Sequence, residues 1–397
     1  MLVTLDSITT KITKGTTPTS VGCTFENSGV NFIKSESLGN SRNIDRSKFA
    51  FISEQTHEKL KRSQIEKNDI LFSMAGMFLG KTGIVTDDLV PANTNQAVAI
   101  IRIDTEKANH EYVYYYLNQR SVVQAVNASS AQSAQPNINL KQIGQIEIDL
   151  PERKLQDKIV SILSAIDFKI EKNNQINENL EQQAQAYFQE LFVNNADPEW
   201  TTGTISDLGT VVGGSTPSKA KPEYYTETGI AWITPKDLSI NKSKFVSHGE
   251  NDITELGLKN SSAVIMPEGT VLFSSRAPIG YIAIATDEVT TNQGFKSVVP
   301  KQEIGTPFVY FFLKNTLPVI EGMASGSTFK EVSGSTMKKV PAVIPDAETL
   351  AKFSNFCAPI FAEQRILEEQ NQSLAILRDN LLPKLMSGEI DVSDVQL

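Results

Sequence analysis

The sequence predicts an α+β protein: two similar globular heads joined by two long helices packed as an antiparallel coiled coil, with the halves related by a pseudo-twofold internal repeat. Three observations carry this. Motifs recur in the same order about one half-length apart: KGTTPT (14–19) and GGSTPS (213–218), VNFIKSESL and IAWITPKDL, ILFSMAGMFLGKTGIV and VLFSSRAPIGYIAIA, NTNQAV and TTNQGF, YVYYYL and FVYFFL. The texture of each copy changes once, from short apolar runs to helix, after Pro151 and again after Pro345. Both helical stretches then carry apolar residues at alternating gaps of three and four, the spacing of a heptad seam. Collinear pairs at one period exclude coincidence, and a period near 200 residues is too long for a solenoid repeat.

The elements follow in order. Residues 1–150 read as short strands and turns with one aromatic-rich helix, because runs such as AVAIIRI are broken by Gly, Pro, Asn and Asp. Residues 151–195 form the first long helix. No Gly or Pro interrupts Leu155 to Leu191, and Ile159, Leu163, Ile166, Ile170, Leu180, Ala184, Tyr187 and Leu191 make the seam. Residues 196–345 repeat the head, and 346–397 repeat the helix and add a C-terminal tail. A shift of 194 residues maps the first seam onto Phe353, Cys357, Ile360, Gln364, Leu374, Arg378, Leu381 and Leu385, and Asn177 onto Asn371. Gln364 and Arg378 are polar, and Pro359 and Pro383 are expected to kink or end the helix. Pairing of the helices, with the equivalent asparagines fixing register, would make a rigid spacer with a head at each end.

At 397 residues, 40% hydrophobic and 21% charged, the chain has room for two cores or more. No apolar run approaches the ~20 residues of a membrane span, and the start MLVTLDSITT lacks the basic and apolar regions of a signal peptide, so a cytoplasmic protein without membrane partners is expected. Cys23 and Cys357 have neither zinc-site nor disulfide-framework spacing. The net charge of -9 is uneven. Residues 1–150 hold 15 acids and 15 bases, whereas 346–397 hold nine acids and four bases. The near-neutral heads can thus offer basic faces, from Lys34, Arg42, Arg46 and Lys48, or from Lys219, Lys221, Lys236, Lys242 and Lys244.

Catalytic constellations are wanting. AGMFLGKT (75–82) fits a relaxed P-loop, but GIVTDD follows it where a helix should open, and the second copy has Tyr281 and Ile282 in place of Lys81 and Thr82. His57, His110 and His248 lie near no Cys and have no HExxH spacing, so neither a metal site nor a Ser-His triad is expected. No GxGxxG follows a strand, no NPPY-like tetrapeptide is present, and Glu152-Arg153-Lys154 reads as a helix start and not a nuclease motif. No cofactor is expected. Two similar heads on a spacer suit a binder of something bipartite.

The repeated G-[ST]-T-P opening, the TNQ turn, the long helix after each LP or IP, and above all LRDNLLPKLMSGEIDV (377–392) resemble the specificity subunit of type I restriction-modification systems. The resemblance covers essentially the whole chain. It implies two target-recognition domains, each reading one half of an interrupted double-stranded DNA sequence, and paired helices that dock methyltransferase (modification) subunits, two in number, which methylate adenine. Restriction and translocase subunits would join through that complex, and this chain would supply specificity without catalysis. A non-DNA scaffold or ligand-binding protein on the same duplicated frame is the alternative.

If the heads read different half-sites, residues common to both cannot carry the difference. The shared turns then serve as framework that can also place Lys14, Thr16, Thr17, Ser215, Thr216 and Lys219 on phosphates. Asn95-Gln96 and Asn292-Gln293 could read adenine but are expected to be buried polar ties. Base readers belong where the copies diverge beside these anchors. In the first head these are Lys34, Ser35, Glu36, Met74 and the loop residues Gln132, Ser133, Gln135 and Asn137. In the second they are Thr234, Lys236, Asp237, Ser275, Arg276, Ser327, Thr328 and Lys330, with Arg276 foremost because Arg grips a guanine edge bidentately. The repeated aromatics Tyr114, Tyr115, Tyr116, Tyr310, Phe311 and Phe312 are expected in the cores.

Overall fold

The computed structural model describes residues 1–39, 42–130, 136–326 and 330–395. The chain forms two compact units, Met1–Ile170 with Ser373–Leu397, and Glu171–Gln372. The division falls inside the long helices, so each unit contains a head with a part of both helices.

In the first unit, strands Thr9–Lys14, Val98–Ile103, Ile70–Ser73 and Thr82–Ile84 form one sheet in that order, and Ala50–Ile52, Val30–Ile33, Ala92–Thr94 and Gln64–Ile65 form another. Val98–Ile103 is buried on both faces, which is why AVAIIRI reads as continuous and not alternating. The P-loop-like stretch is a hairpin: Ile70–Ser73, a turn at Gly76–Phe78, then Thr82–Ile84 antiparallel to the first strand. Leu2–Thr4 pairs with Glu147–Asp149, bringing the chain start beside the entry to the first long helix. The aromatic helix His110–Leu117 begins at Asn109, whose side chain accepts from the Glu111 and Tyr112 amides. Tyr112, Tyr114 and Tyr115 are buried, and the Tyr115 hydroxyl donates to Asp167 on the long helix at 2.6 Å.

The second unit repeats the plan. Gly209–Gly213, Lys296–Pro300, Val271–Ser275, Ile279–Ala285 and Phe245–Val246 form a five-stranded sheet, and Tyr225–Thr226, Asn251–Ile253, Ile230–Ile233 and Thr290–Thr291 a four-stranded one. Each head has one equivalent parallel pairing, Ile33 opposite Thr94 and Ile233 opposite Thr291. The aromatic helix is Thr306–Gly322, with Phe308, Tyr310 and Phe311 buried as its sequence predicts.

The first long helix runs Arg153–Gln189 and ends in a π turn, Glu190–Asn194. The second runs Ala347–Met386 straight through Pro359 and Pro383, against the expected break. Pro359 is exposed, on the side away from the seam, and Pro383 lies in the last turn. Each proline removes one backbone hydrogen bond, and a helix whose other face is buried along its length retains enough packing to tolerate that loss. In the first unit Ile159 and Leu163 share a core with Leu382, Leu385 and Met386. In the second, Ala184 and Phe188 share one with Phe353, Cys357 and Ile360. The polar seam residues have partners: Arg378 meets Asp167 at 2.9 Å, and the Gln364 amide donates to the Asn177 carbonyl at 3.1 Å. The asparagine ladder is shifted by one turn from the expected pairing. Asn371 accepts from buried Asn173 at 2.9 Å and donates to Asn174 at 2.8 Å, while Asn177 does not meet it.

Two residues assigned to basic faces instead sit at head–helix junctions, Arg42 partly buried and Lys244 buried. Arg42 pairs with Glu111 and lies over the Phe168 ring at 5.1 Å. Lys244, 8% exposed, bonds Glu181 at 2.8 Å and Gln364 at 2.9 Å, with its ammonium 3.5 Å from the centre of the Phe361 ring. They occupy corresponding places, since the Arg42 and Lys244 carbonyls accept from Ile84 and Ile284 in matching strands. Burial alone would push the Glu181 carboxyl up, but Lys244 and Lys314 outweigh it and hold Glu181 ionised with a pKa of about 2. Burial lowers Lys244 to about 8, so it stays charged throughout the acid range.

Two predictions follow from the helices and their junction. Pro359→Ala restores a helical hydrogen bond and removes a ring clash, and should raise unfolding stability by about 1–3 kcal/mol in urea titration; a fall would mean that the proline shapes the packing. Because Glu181 has its folded pKa below the ordinary 4.5, its stabilisation is present above that pH and lost as pH falls toward 2. The thermal midpoint of Glu181→Gln should therefore fall less than that of the wild type over this acid range, and parallel pH profiles would refute the assignment.

Candidate nucleic-acid interface

Each head carries the same crossing of two chain segments. The Thr16 amide donates to the Thr94 carbonyl at 2.9 Å, and the Ser215 amide to the Thr291 carbonyl at 2.9 Å. Only glycine fits just before each contact. A Cβ on Gly15 would stand 2.0 Å from the Thr94 oxygen, and one on Gly214 would stand 2.0 Å from the Asn292 oxygen. Pro18 and Pro217 are buried beneath the turns. Asn95 and Asn292 close the opposing TNQ turns by accepting from the Ala97 and Gly294 amides at 3.1 and 2.8 Å. The Thr17 hydroxyl donates to the Gln96 side-chain oxygen, and the Thr216 hydroxyl to that of Gln293. The expected polar tie is thus present, but both glutamines are exposed and not buried.

In the second head, residues singled out from sequence converge. Thr216, Lys219, Thr234, Lys236 and Asp237 line one cleft of about 360 Å³ with Trp232, Glu250, Asn292 and Gln293. Its floor is set by local bonds: the Trp232 indole donates to the Ser215 carbonyl at 3.0 Å, and the Asp237 carboxylate accepts from the Thr234 amide at 2.7 Å and hydroxyl at 2.6 Å, capping the helix Pro235–Ile240. Lys236 meets Glu250 at 2.6 Å on the surface, a contact that a phosphate could replace because exposed pairs are weak. Arg276 lies 3.4 Å from Glu331 and is a little over a third exposed, with exposed Lys330 next to Glu331 in sequence. The neighbouring Ala277 has φ 51°, a left-handed conformation unfavourable for a residue with a Cβ. Burial lowers the pKa of Lys296, whose ammonium donates to the Gln293 carbonyl at 3.2 Å.

In the first head, Lys14 is exposed at the end of its strand and Thr16 lies 3.4 Å from the Arg62 guanidinium. Lys34 is 3.8 Å from Glu36 and 5.3 Å from the centre of the Phe25 ring, Ser35 opens a short turn with Glu36, and Asn137 is exposed opposite Ala75. Met74 and Ser275 require correction as base readers. Met74 is 7% exposed within the core, and Ser275 is fully buried with its hydroxyl donating to the Gly294 carbonyl at 3.1 Å, so neither side chain presents a surface to a ligand. Gln132, Ser133, Gln135, Ser327 and Thr328 lie outside the described residues. Arg62, Trp232 and Lys296 were absent from the sequence-based site. Position alone carries no signal for them, because tertiary folding brings each to the repeated turn.

Among the described residues, no group of three or more His, Cys, Asp or Glu could hold a metal, and no helix is long and apolar enough to cross a membrane. The chain is duplicated in fold, each unit carrying the same turn crossing. The model of the type I restriction modification DNA specificity domain matches it twice, at residues 1–182 and 198–375, and the chain belongs to that family of DNA sequence-recognition subunits. It is similar to the type I restriction enzyme MjaIX specificity subunit of Methanocaldococcus jannaschii, 41% identical over 42% of this chain and 39% of that one. It is also similar to the HindI specificity subunit of Haemophilus influenzae, 24% identical over 83% of this chain and 88% of that one. Among solved structures, the type I restriction-modification S subunit from M. genitalium shares the fold with a TM-score of 0.57 at 18% identity, over 97% of this chain and 95% of that one.

The close crossings give a direct test. Gly15→Ala and Gly214→Ala each force backbone apart and should each destabilise the protein by about 1–3 kcal/mol, read from the thermal midpoint. An unchanged midpoint would mean that the crossing yields freely.

Proposed function

We propose that each head reads one half of an interrupted double-stranded DNA sequence, and that the long helices dock two methyltransferase subunits that methylate adenine. Restriction and translocase subunits join through that complex. The observation carrying this reading is the pair of equivalent turns, built alike in both heads, while the segments that follow the paired strands differ, Lys34, Ser35 and Glu36 after Ile33 and Thr234 and Lys236 after Ile233, as do Asn137 in one copy and Arg276 and Lys330 in the other. A constant frame with a variable rim is what two half-site readers need, phosphate contacts giving position and base contacts giving sequence. The domains proposed are 1–150 and 196–345 for recognition, with 151–195 and 346–397 as helices and tail. The docking role is supported by apolar side chains left exposed on the helices, including Ile176, Ile366, Ile376 and Leu377. The acidic excess of 346–397 disfavours DNA there.

Co-expression with the methyltransferase subunit of its own genome and single-molecule mapping of methylated adenine tests the reading. One interrupted motif with methylation in both halves is the expected result, and exchange of residues 1–150 for those of a relative should change one half only. A stable complex without new methylation would overturn the DNA-reading role, and no complex would overturn the docking role in favour of a scaffold. Affinity of the complex for its motif should fall about 10³-fold or more between 50 and 200 mM salt if six or more phosphates are engaged; a flat salt response would exclude a phosphate-anchored site.

A further inference from the structure

We propose that Gln96 and Gln293 are the phosphate anchors of the two heads, each holding its half-site in register without reading sequence. This rests on the DNA-reading function proposed above.

The bonding of each glutamine decides between base and phosphate. To grip adenine, a glutamine must present its oxygen and its NH₂ together to N6 and N7. In both heads the oxygen is already taken by a threonine hydroxyl, from Thr17 onto Gln96 and from Thr216 onto Gln293. The threonine takes one lone pair of the oxygen and turns that end of the amide toward the turn, so the group left free of bonds on the exposed side chain is an NH₂ with two donors, which suits a phosphate oxygen better than the paired donor-and-acceptor edge of adenine. The threonine also fixes the amide's orientation, so little side-chain entropy is lost on binding.

The two places are alike in construction and in charge, although the charge comes from non-equivalent residues. Beside the first, the Arg62 guanidinium lies 3.4 Å from the Thr16 hydroxyl. Beside the second, Lys219 lines the same cleft as Gln293, and the Lys296 ammonium sits 3.2 Å from the Gln293 carbonyl. A basic side chain therefore stands beside the pair in each head, supplied by non-equivalent residues, as a requirement for an anion would produce. Heads that read different bases share only the sugar-phosphate backbone of their ligands, and an exposed pair kept in both is matched to that shared feature.

The test uses the full chain in complex with its methyltransferase subunits, on a duplex carrying the mapped motif and on an unrelated duplex, with thermal midpoints recorded. Gln96→Glu and Gln293→Glu keep an acceptor for the threonine but remove both donors and place an anion against the phosphate. Gln96→Lys and Gln293→Lys lose that acceptor but supply a cationic donor. Phosphate anchoring predicts that each Glu variant binds both duplexes about 10- to 100-fold more weakly by the same factor, with the methylation motif unchanged, while the Lys variants bind at least as well as wild type. A turn-stapling role predicts the opposite order, with Glu variants binding normally and Lys variants weakened and less stable, and would overturn the proposal. So would relaxation of the motif at a single base. A wild-type complex that yields no motif refutes the DNA-reading function itself, a failure visible before any variant is made.

Discussion

A partly buried carboxylate at the junction of head and helix is the interaction on which each unit turns. Asp167 and Glu181, both on the first long helix, lie one in each unit. Each accepts from a tyrosine of its own unit's aromatic helix, Tyr115 at 2.6 Å and Tyr310 at 3.1 Å, at positions one residue apart in the repeat. Asp167 is balanced by Arg378, and Glu181 by Lys244 and Lys314. A buried charge that loses its partner costs several kcal/mol, whereas its geometry is satisfied at one docking position only. Hydrophobic contact between aromatic helix and long helices supplies the attraction, and the carboxylate makes the attachment discrete. For a reader of DNA this matters, because the aim of a head is set by the helices it sits on.

Above that junction, the heads divide labour between fixed and variable parts. The crossing of the G-[ST]-T-P turn over the TNQ turn is rigid for reasons of space: backbone oxygens stand where any Cβ on Gly15 or Gly214 would go. Around it, side chains differ freely because they touch solvent and not core. The Lys236–Glu250 pair illustrates the rim, since it is exposed and easily exchanged for a ligand. Under the proposed function, framework and specificity residues lie side by side, and Thr234 and Asp237, which cap a helix, belong to both.

Where the sequence misled, the cause was a neighbour distant along the chain. Pro359 and Pro383 signal a helix end, yet burial of the opposite face carries the helix through both. Gln364 and Arg378 look like flaws in a seam and are partners of Asn177 and Asp167. Arg42 and Lys244 read as surface charge, although Glu111 and Glu181 meet them at partly buried junctions. Ser275 diverges from its counterpart and so resembled a base reader, but its strand is covered on every side.

The duplication, the α+β texture, the order of heads and helices and the repeated turns were all determined by the sequence alone. Periodicity, glycine and proline placement act locally, and a repeat is visible without coordinates. Which charges are buried, which turn of one helix faces which turn of the other, and which side chains gather beside Gln96 and Gln293 were decided only by tertiary structure. Those outcomes depend on groups brought together from far along the chain, and no local pattern encodes the distance between them.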